Sequence, residues 1–147
     1  MNTVIKKNTR EPDSLLSKYN SKISSRLVMV TESGKGINAS ALKDLIRLSQ
    51  YKKAFIAGLL NISVKTLDRY MQTNKKLHPL NSEIILKLFS LYAKGIETFG
   101  SLEFFKNWLE KPAYGLNNEV PVTFFNLSSG IDLVYEELVR IEFGDLG

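Results

Sequence analysis

Apolar residues recur along this chain at three- and four-residue steps, and no stretch alternates apolar with polar over the length of a strand. Leu15, Leu16, Tyr19, Ile23 and Leu27 fall on one helical stripe, predicted to begin after Pro12-Asp13. Leu27-Val28-Met29-Val30 alone is compatible with either a helix or a short extended piece. The first dozen residues read as a mobile arm, and Gly34-Lys35-Gly36 marks a break. From Asn38 to Gln50, Ala39, Leu42, Leu45, Ile46 and Leu48 predict an amphipathic helix capped by Asn38 or Ser40. Two short helices follow, at about Lys52–Leu60 and Val64–Gln72. Past the polar link Thr73–Lys76, Asn81-Ser82-Glu83 opens a longer helix facing inward with Ile85, Leu88, Phe89, Tyr92, Ile96 and Phe99, and Gly100 stops it. Ser101 caps a helix running through Glu110, which Lys111-Pro112 ends. A loop spans Ala113–Val120, Pro121 starts a short turn through Phe125, and Ser128 or Ser129 begins a last helix closing at Gly144. The prediction is an all-α chain.

The segment Lys53–Gln72 has the makings of a helix-turn-helix. Two short helices that cross need a small residue at the crossing, met by Ala57, and a tight turn four residues later, met by Asn61. Asparagine tolerates positive φ better than other non-glycine residues. Ile56, Leu60, Ile62, Leu67 and Tyr70 supply the buried positions, and Ser63 is placed to cap the second helix. With Leu67, Tyr70 and Met71 inward, the period leaves Lys65, Thr66, Arg69 and Gln72 outward, flanked by Val64 and Asp68. Arginine reads guanine bidentately, glutamine pairs with adenine, and Ser or Thr holds phosphate. Ser63, Lys65, Thr66, Arg69, Gln72, Lys75 and Lys76 are therefore the candidate DNA-binding set; the bland alternative is a helical hairpin with a polar face.

Charge sharpens this picture. Residues 1–78 carry 15 Lys and Arg against 5 Asp and Glu, and residues 79–147 carry 5 against 10. A basic front and an acidic rear suggest two surfaces with different partners. Phosphate contacts dominate nucleic-acid affinity, so the front suits DNA. The chain has no cysteine and one histidine, His78, which excludes disulfide scaffolds, thiol nucleophiles and Cys/His zinc sites. No apolar run reaches the ~20 residues of a membrane span, and Met1–Lys7 lacks the apolar stretch of a signal peptide. The expectation is a cytoplasmic protein with no cofactor and no metal. In the acidic half, Asp132, Glu136 and Glu137 read as a solvated helix face, with no nucleophile or base nearby to make them catalytic. His78 reads as a helix-entry residue. Trp108, Phe104, Phe105, Phe124 and Phe125 read as core, or in part as a partner surface, since aromatics anchor interfaces.

Taken in order, the string resembles a known family. Gly36-Ile37 leads into a helix, and Leu60-Asn61-Ile62-Ser63-Val64-Lys65-Thr66-Leu67-Asp68-Arg69 is similar to the LGIS–TL–R helix-turn-helix, with Asn61 where glycine is usual. Lys76-Leu77-His78-Pro79-Leu80-Asn81-Ser82-Glu83 and Phe99-Gly100-Ser101 come next. Asn107-Trp108-Leu109-Glu110-Lys111-Pro112, Leu116, Pro121, Gly130, Val134, Leu138-Val139-Arg140-Ile141 and Phe143-Gly144 complete the frame. In order and spacing residues 36–144 resemble the Xre/MbcA/ParS-type antitoxins, in which an Xre-like DNA-binding module precedes a small helical toxin-binding domain.

The resemblance implies an antitoxin of a type II toxin–antitoxin system, not an enzyme. It implies a partner that is a RES-domain toxin consuming NAD, inhibited when the antitoxin covers its active-site pocket. It also implies a homodimer that binds an inverted-repeat operator and represses its own operon. The expected organisation is a basic arm over residues 1–35, a DNA-binding domain over 36–80 and a toxin-binding domain over 81–147. Trp108, Tyr114, Leu116, Glu136, Arg140, Phe143, Asp145 and Leu146 are the candidate toxin-binding residues. The competing readings are a toxin-independent regulator with a helical dimerisation domain, and a pure protein inhibitor that never touches DNA.

Overall fold

A computed structural model describes residues 11–144 of the chain. Asp145, Leu146 and the first ten residues of the expected arm lie outside this range. Helices account for the secondary structure of the described residues, with two isolated antiparallel bridges, Asn38 with Lys76 and Ala113 with Glu119, and no strand. Among the described residues no helix is long and apolar enough to cross a membrane.

The helices are α1 (residues 11–17), α2 (Arg26–Lys35), α3 (Ser40–Ser49), α4 (Lys53–Leu59), α5 (Val64–Thr73), α6 (Pro79–Phe99), α7 (Leu102–Leu109) and α8 (Ser128–Glu142). Short 3₁₀ turns occupy Asn20–Lys22, Tyr114–Leu116 and Pro121–Asn126. Two compact units divide the described chain, one of Ser14–Phe89 and one of residues 11–13 together with the residues from Ser90 onward.

The first unit packs Leu42, Leu45 and Leu48 of α3 with Ile56, Ala57, Leu67, Ile85, Leu86 and Phe89. Its N-terminal segment departs from the sequence expectation. Helix α1 already includes Pro12 and Asp13, and Leu15, Leu16 and Tyr19 are buried. The stripe then ends: the turn at Asn20–Lys22 breaks the helix, and Leu27 on α2 is exposed. The ambiguous run Leu27–Val30 is helical, because Ser25 caps α2 by accepting from Val28 N. Tyr19 anchors the segment by stacking on Phe89, ring centroids 4.0 Å apart, while its hydroxyl donates to Asp44 at 2.5 Å. Burial, then the bond to Asp44 and its charge, hold the Tyr19 hydroxyl far above the ordinary tyrosine range.

A second fixture closes the unit. Ala39 N donates to Lys75 O and Leu77 N to Ile37 O, each at 2.8 Å. Ser82, wholly buried at the start of α6, accepts from Ile37 N at 2.9 Å and donates to Leu77 O at 3.3 Å. Gly36 has φ +80°, and a Cβ there would come within 2.5 Å of the Leu77 carbonyl oxygen. So Thr73–Lys76 is not the plain link expected. Thr73 is the last residue of α5, Asn74 ends that helix in the left-handed conformation, and Lys75-Lys76 pair with the entry to α3. Helix α6 starts at Pro79, two residues earlier than predicted, because proline suits a first helical position and His78 Nδ1 accepts from Leu80 N at 3.2 Å.

The second unit is centred on Tyr92, Phe105, Leu109, Phe125, Ile131, Val134 and Leu138. Phe105 meets Tyr92 edge-on and stacks with Phe99 and Trp108. Gly100, at φ +86°, stops α6, and Ser101 caps α7 by accepting from Phe104 N, both as the sequence predicts. Lys94 on α6 bonds to Glu142 near the end of α8.

Candidate functional site

Two surfaces carry the polar and aromatic groups of interest, one in each unit. In the first, α4 and α5 are joined by the turn Leu60-Asn61-Ile62. Asn61 adopts φ 56°, and Ile62 N donates to Ala57 O at 3.0 Å, so the chain reverses within three residues over a buried alanine. Ser63 then caps α5. Its hydroxyl accepts from Thr66 N at 3.0 Å and donates to Thr66 Oγ1 at 2.9 Å. Leu67 and Met71 are buried, which turns Lys65, Arg69 and Gln72 to solvent and leaves Thr66 half-buried.

Asp68 is neutralised across the turn. Lys53, the first residue of α4, meets its carboxylate at 2.8 Å, so the acid beside Arg69 presents no net negative charge. Arg69 lies 5.7 Å from the centre of the Tyr70 ring, within the range of a cation–π attraction. Lys75 and Lys76 are exposed, with their backbone held by the closure with Ile37–Ala39. The structure thus brings Lys65, Arg69 and Gln72 to one exposed helix face, places Ser63 and Thr66 at its N-terminal end, and puts Lys75 and Lys76 just beyond its C-terminal end. Donors and cations on this face match phosphate oxygens and base edges in kind.

In the second unit the loop between α7 and the turn at Pro121 is compact. Ala113 N donates to Glu119 O and Leu116 N to Ala113 O, each at 3.0 Å; Asn118 N donates to Ala113 O at 2.9 Å. Asn117 and Asn118 both take positive φ, which few residues tolerate as well as asparagine. Leu116 is buried and plugs the loop from within, so its side chain is part of the core. Tyr114, in contrast, is 77% exposed.

Helix α8 holds this loop. Glu137, read from sequence as part of a solvated face, is buried and pairs with Arg140 three residues on. A Cβ at residue 115 would overlap the Glu137 carboxylate, so the loop backbone lies directly on that group and needs glycine. Arg140 also donates to Gly115 O at 3.0 Å. Glu136 is exposed on the same helix, and Phe143, just past its end, is 80% exposed. Trp108 is half-buried against Phe99 and Phe105. Phe104 corrects a core assignment: it is 62% exposed, because Phe105 and Leu109 set the inner face of α7. Leu127 and Leu133 add exposed apolar area that the sequence did not single out. The i, i+3 spacing of Glu137 and Arg140 was a usable signal for their pairing. Nothing local in sequence announced Gly115 as their third member.

Among the described residues no group of three or more His, Asp or Glu could hold a metal ion. Residues 94–144 match the family model described as the antitoxin Xre/MbcA/ParS C-terminal toxin-binding domain. The matched span runs from the C-terminal end of α6 to the end of the described chain and contains α7, the Ala113–Glu119 loop and α8. No curated protein matches the chain.

Proposed function

We propose, from the match of residues 94–144 to the Xre/MbcA/ParS C-terminal toxin-binding domain, that this chain inhibits a cognate RES-domain toxin and represses its own operon. The family match carries the first half of the reading. The toxin degrades NAD in the cytoplasm, and the antitoxin neutralises it by covering the pocket where NAD enters. Inhibition is stoichiometric and needs no chemistry from the chain itself, only a rigid surface with anchors. Tyr114, Phe143 and the edge of Trp108 are those anchors, with exposed Glu136 as a polar contact, Leu116 supporting from beneath and Arg140 holding the loop that carries Tyr114. Asp145 and Leu146 are further contacts by their place in the sequence.

The second half rests on the α4–α5 pair as a helix-turn-helix. Its exposed face of Lys65, Arg69 and Gln72, with Asp68 neutralised by Lys53, favours DNA over a merely solvated hairpin. Ser63 and Thr66 hold phosphate at the start of α5, and Lys75 and Lys76 add backbone attraction past its end. A twofold dimer reads an inverted repeat with half-sites about one helical turn apart.

Co-expression with the neighbouring toxin gene tests the first half. The two proteins should co-purify and NAD loss should stop, and deleting residues 128–147 should release both. An unchanged rate of NAD loss in the presence of the full chain would remove the reading. For the second half, Arg69→Ala should weaken operator binding by about 1–3 kcal/mol in fluorescence anisotropy. The logarithm of the wild-type affinity should fall linearly with the logarithm of salt concentration. An affinity indifferent to salt leaves only the pure inhibitor.

A further inference from the structure

Arg140 looks at first like a charge waiting for an acidic partner. Its surroundings say otherwise. Its guanidinium is already committed twice, to Glu137 on its own helix and to the carbonyl oxygen of Gly115 in the loop. Glu137 is in turn almost sealed from water, with its side chain 6% exposed, and the loop backbone rests on its carboxylate with no room for a side chain at residue 115. Releasing Arg140 to meet a partner would leave a buried carboxylate without its cation, which is costly.

The loop that these two residues hold is short of freedom in every other respect. Its ends are tied by the Ala113–Glu119 bond, its interior is filled by Leu116, and two successive asparagines sit in the left-handed region. The residue left outside is Tyr114, 77% exposed beside Gly115. Tyrosine is among the residues that most often dominate interface energies. Its value is greatest when its position is fixed beforehand, because ordering a loop on binding subtracts from affinity.

We propose that Glu137 and Arg140 are positioning residues that clamp the Ala113–Glu119 loop onto α8 so that Tyr114 is presented, prearranged, to a hydrophobic pocket on the toxin. This rests on the antitoxin reading above and deepens it. Arg140 acts through the loop and makes no ion pair with the toxin, and Tyr114 supplies the contact.

The test uses the full chain and the neighbouring gene's toxin in a catalytically inactive form, with affinity and association rate measured by surface plasmon resonance across salt concentrations. Tyr114→Ala should weaken binding by about 30-fold or more, the level of a dominant interface residue. Arg140→Ala and Gly115→Ala should each weaken it by about 10-fold, and the second touches no charge. Tyr114→Ala combined with Arg140→Ala should bind no worse than Tyr114→Ala alone, within about twofold, since the clamp matters only through the tyrosine. The salt dependence of the association rate should be the same for Arg140→Ala as for the wild type. Independent losses in the double variant, or a flattened salt dependence in Arg140→Ala, would make Arg140 a direct contact and overturn the proposal. On the free chain, hydrogen exchange at the Asn118 and Glu119 amides should speed up in Arg140→Ala; unchanged protection also overturns it. A wild-type chain that fails to bind the toxin would sink the antitoxin reading instead, with the exchange measurement still deciding whether the clamp exists.

Discussion

Replacing Tyr19 by Phe removes one oxygen atom and should cost the first unit a measurable share of its stability. The hydroxyl donates to Asp44 at 2.5 Å, and the same carboxylate also meets Lys18 at 3.5 Å, a lysine whose side chain is 55% exposed. A hydrogen bond to a charged group contributes about 1.5–3 kcal/mol, and leaving a buried acceptor short of a donor costs in the same range. The ring remains stacked on Phe89, so no cavity opens and no transfer term is added. For a chain of this size each kcal/mol corresponds to about 2–4 °C in Tm, so the expected drop is about 3–12 °C. Urea unfolding followed by far-UV circular dichroism should show the same loss as a lower midpoint at unchanged slope. The sign of the pH dependence is also fixed. Because the folded chain holds the Tyr19 hydroxyl protonated well above its ordinary value of 10.0, the contribution is complete below that pH. It declines as the unfolded chain begins to ionise above it. The gap between wild type and variant should therefore narrow above about pH 10. Equal midpoints at neutral pH, or a gap that stays constant into strong alkali, would refute the argument.

Three further outcomes are expected. Ser82→Ala removes the acceptor of Ile37 N and should destabilise the chain by about 1–3 kcal/mol in chemical denaturation, with the Ile37 amide losing its exchange protection. Asn61→Ala, at φ 56°, should cost about 1–2 kcal/mol while Asn61→Gly stays within a few tenths of the wild type; equal costs would mean the turn relaxes its backbone. The bond to Glu142 is the main reason the Lys94 ammonium titrates above its ordinary 10.5. Its contribution is present below that pH and lost as pH rises beyond it. Glu142→Gln should therefore lower stability by about 0.2–1 kcal/mol at neutral pH and shrink the alkaline loss seen in Trp108 fluorescence unfolding curves.

How much of this was visible in the amino-acid string depended on distance along the chain. The α4–α5 pair was legible because its determinants are local: Ala57 at the crossing, Asn61 with its tolerance of positive φ, and Ser63 three residues before the amide it caps. Helix stops at Gly100 and starts at Ser101 were legible for the same reason. The pairing of Lys75-Lys76 with Ile37–Ala39 was not, since two residues of extended backbone leave no period to detect. Glu137 misled because its helix face is buried by the Gly115 loop, a segment remote in sequence and nearly devoid of hydrophobic signal. Phe104 misled because aromatic composition predicts burial on average, while the two residues that set the inner face of α7 are Phe105 and Leu109. On α5, the outward placement of Lys65, Arg69 and Gln72 followed from helical period, while Thr66, expected outward with them, is half-buried; the pairing of Asp68 with Lys53 needed three dimensions.

The closure between Ile37–Ala39 and Lys75–Leu77 has an evolutionary reading. Its two pairing bonds join backbone to backbone, and every residue type except proline carries both groups. Mutation at Lys75 or Lys76 therefore changes what the surface displays without loosening what supports it. Gly36 and Ser82 are the exceptions, one for its φ and one for its hydroxyl. Lineages derived from this chain are free to diverge in the charge they present past the end of α5, and so in the partners they favour, provided those two positions stay as they are.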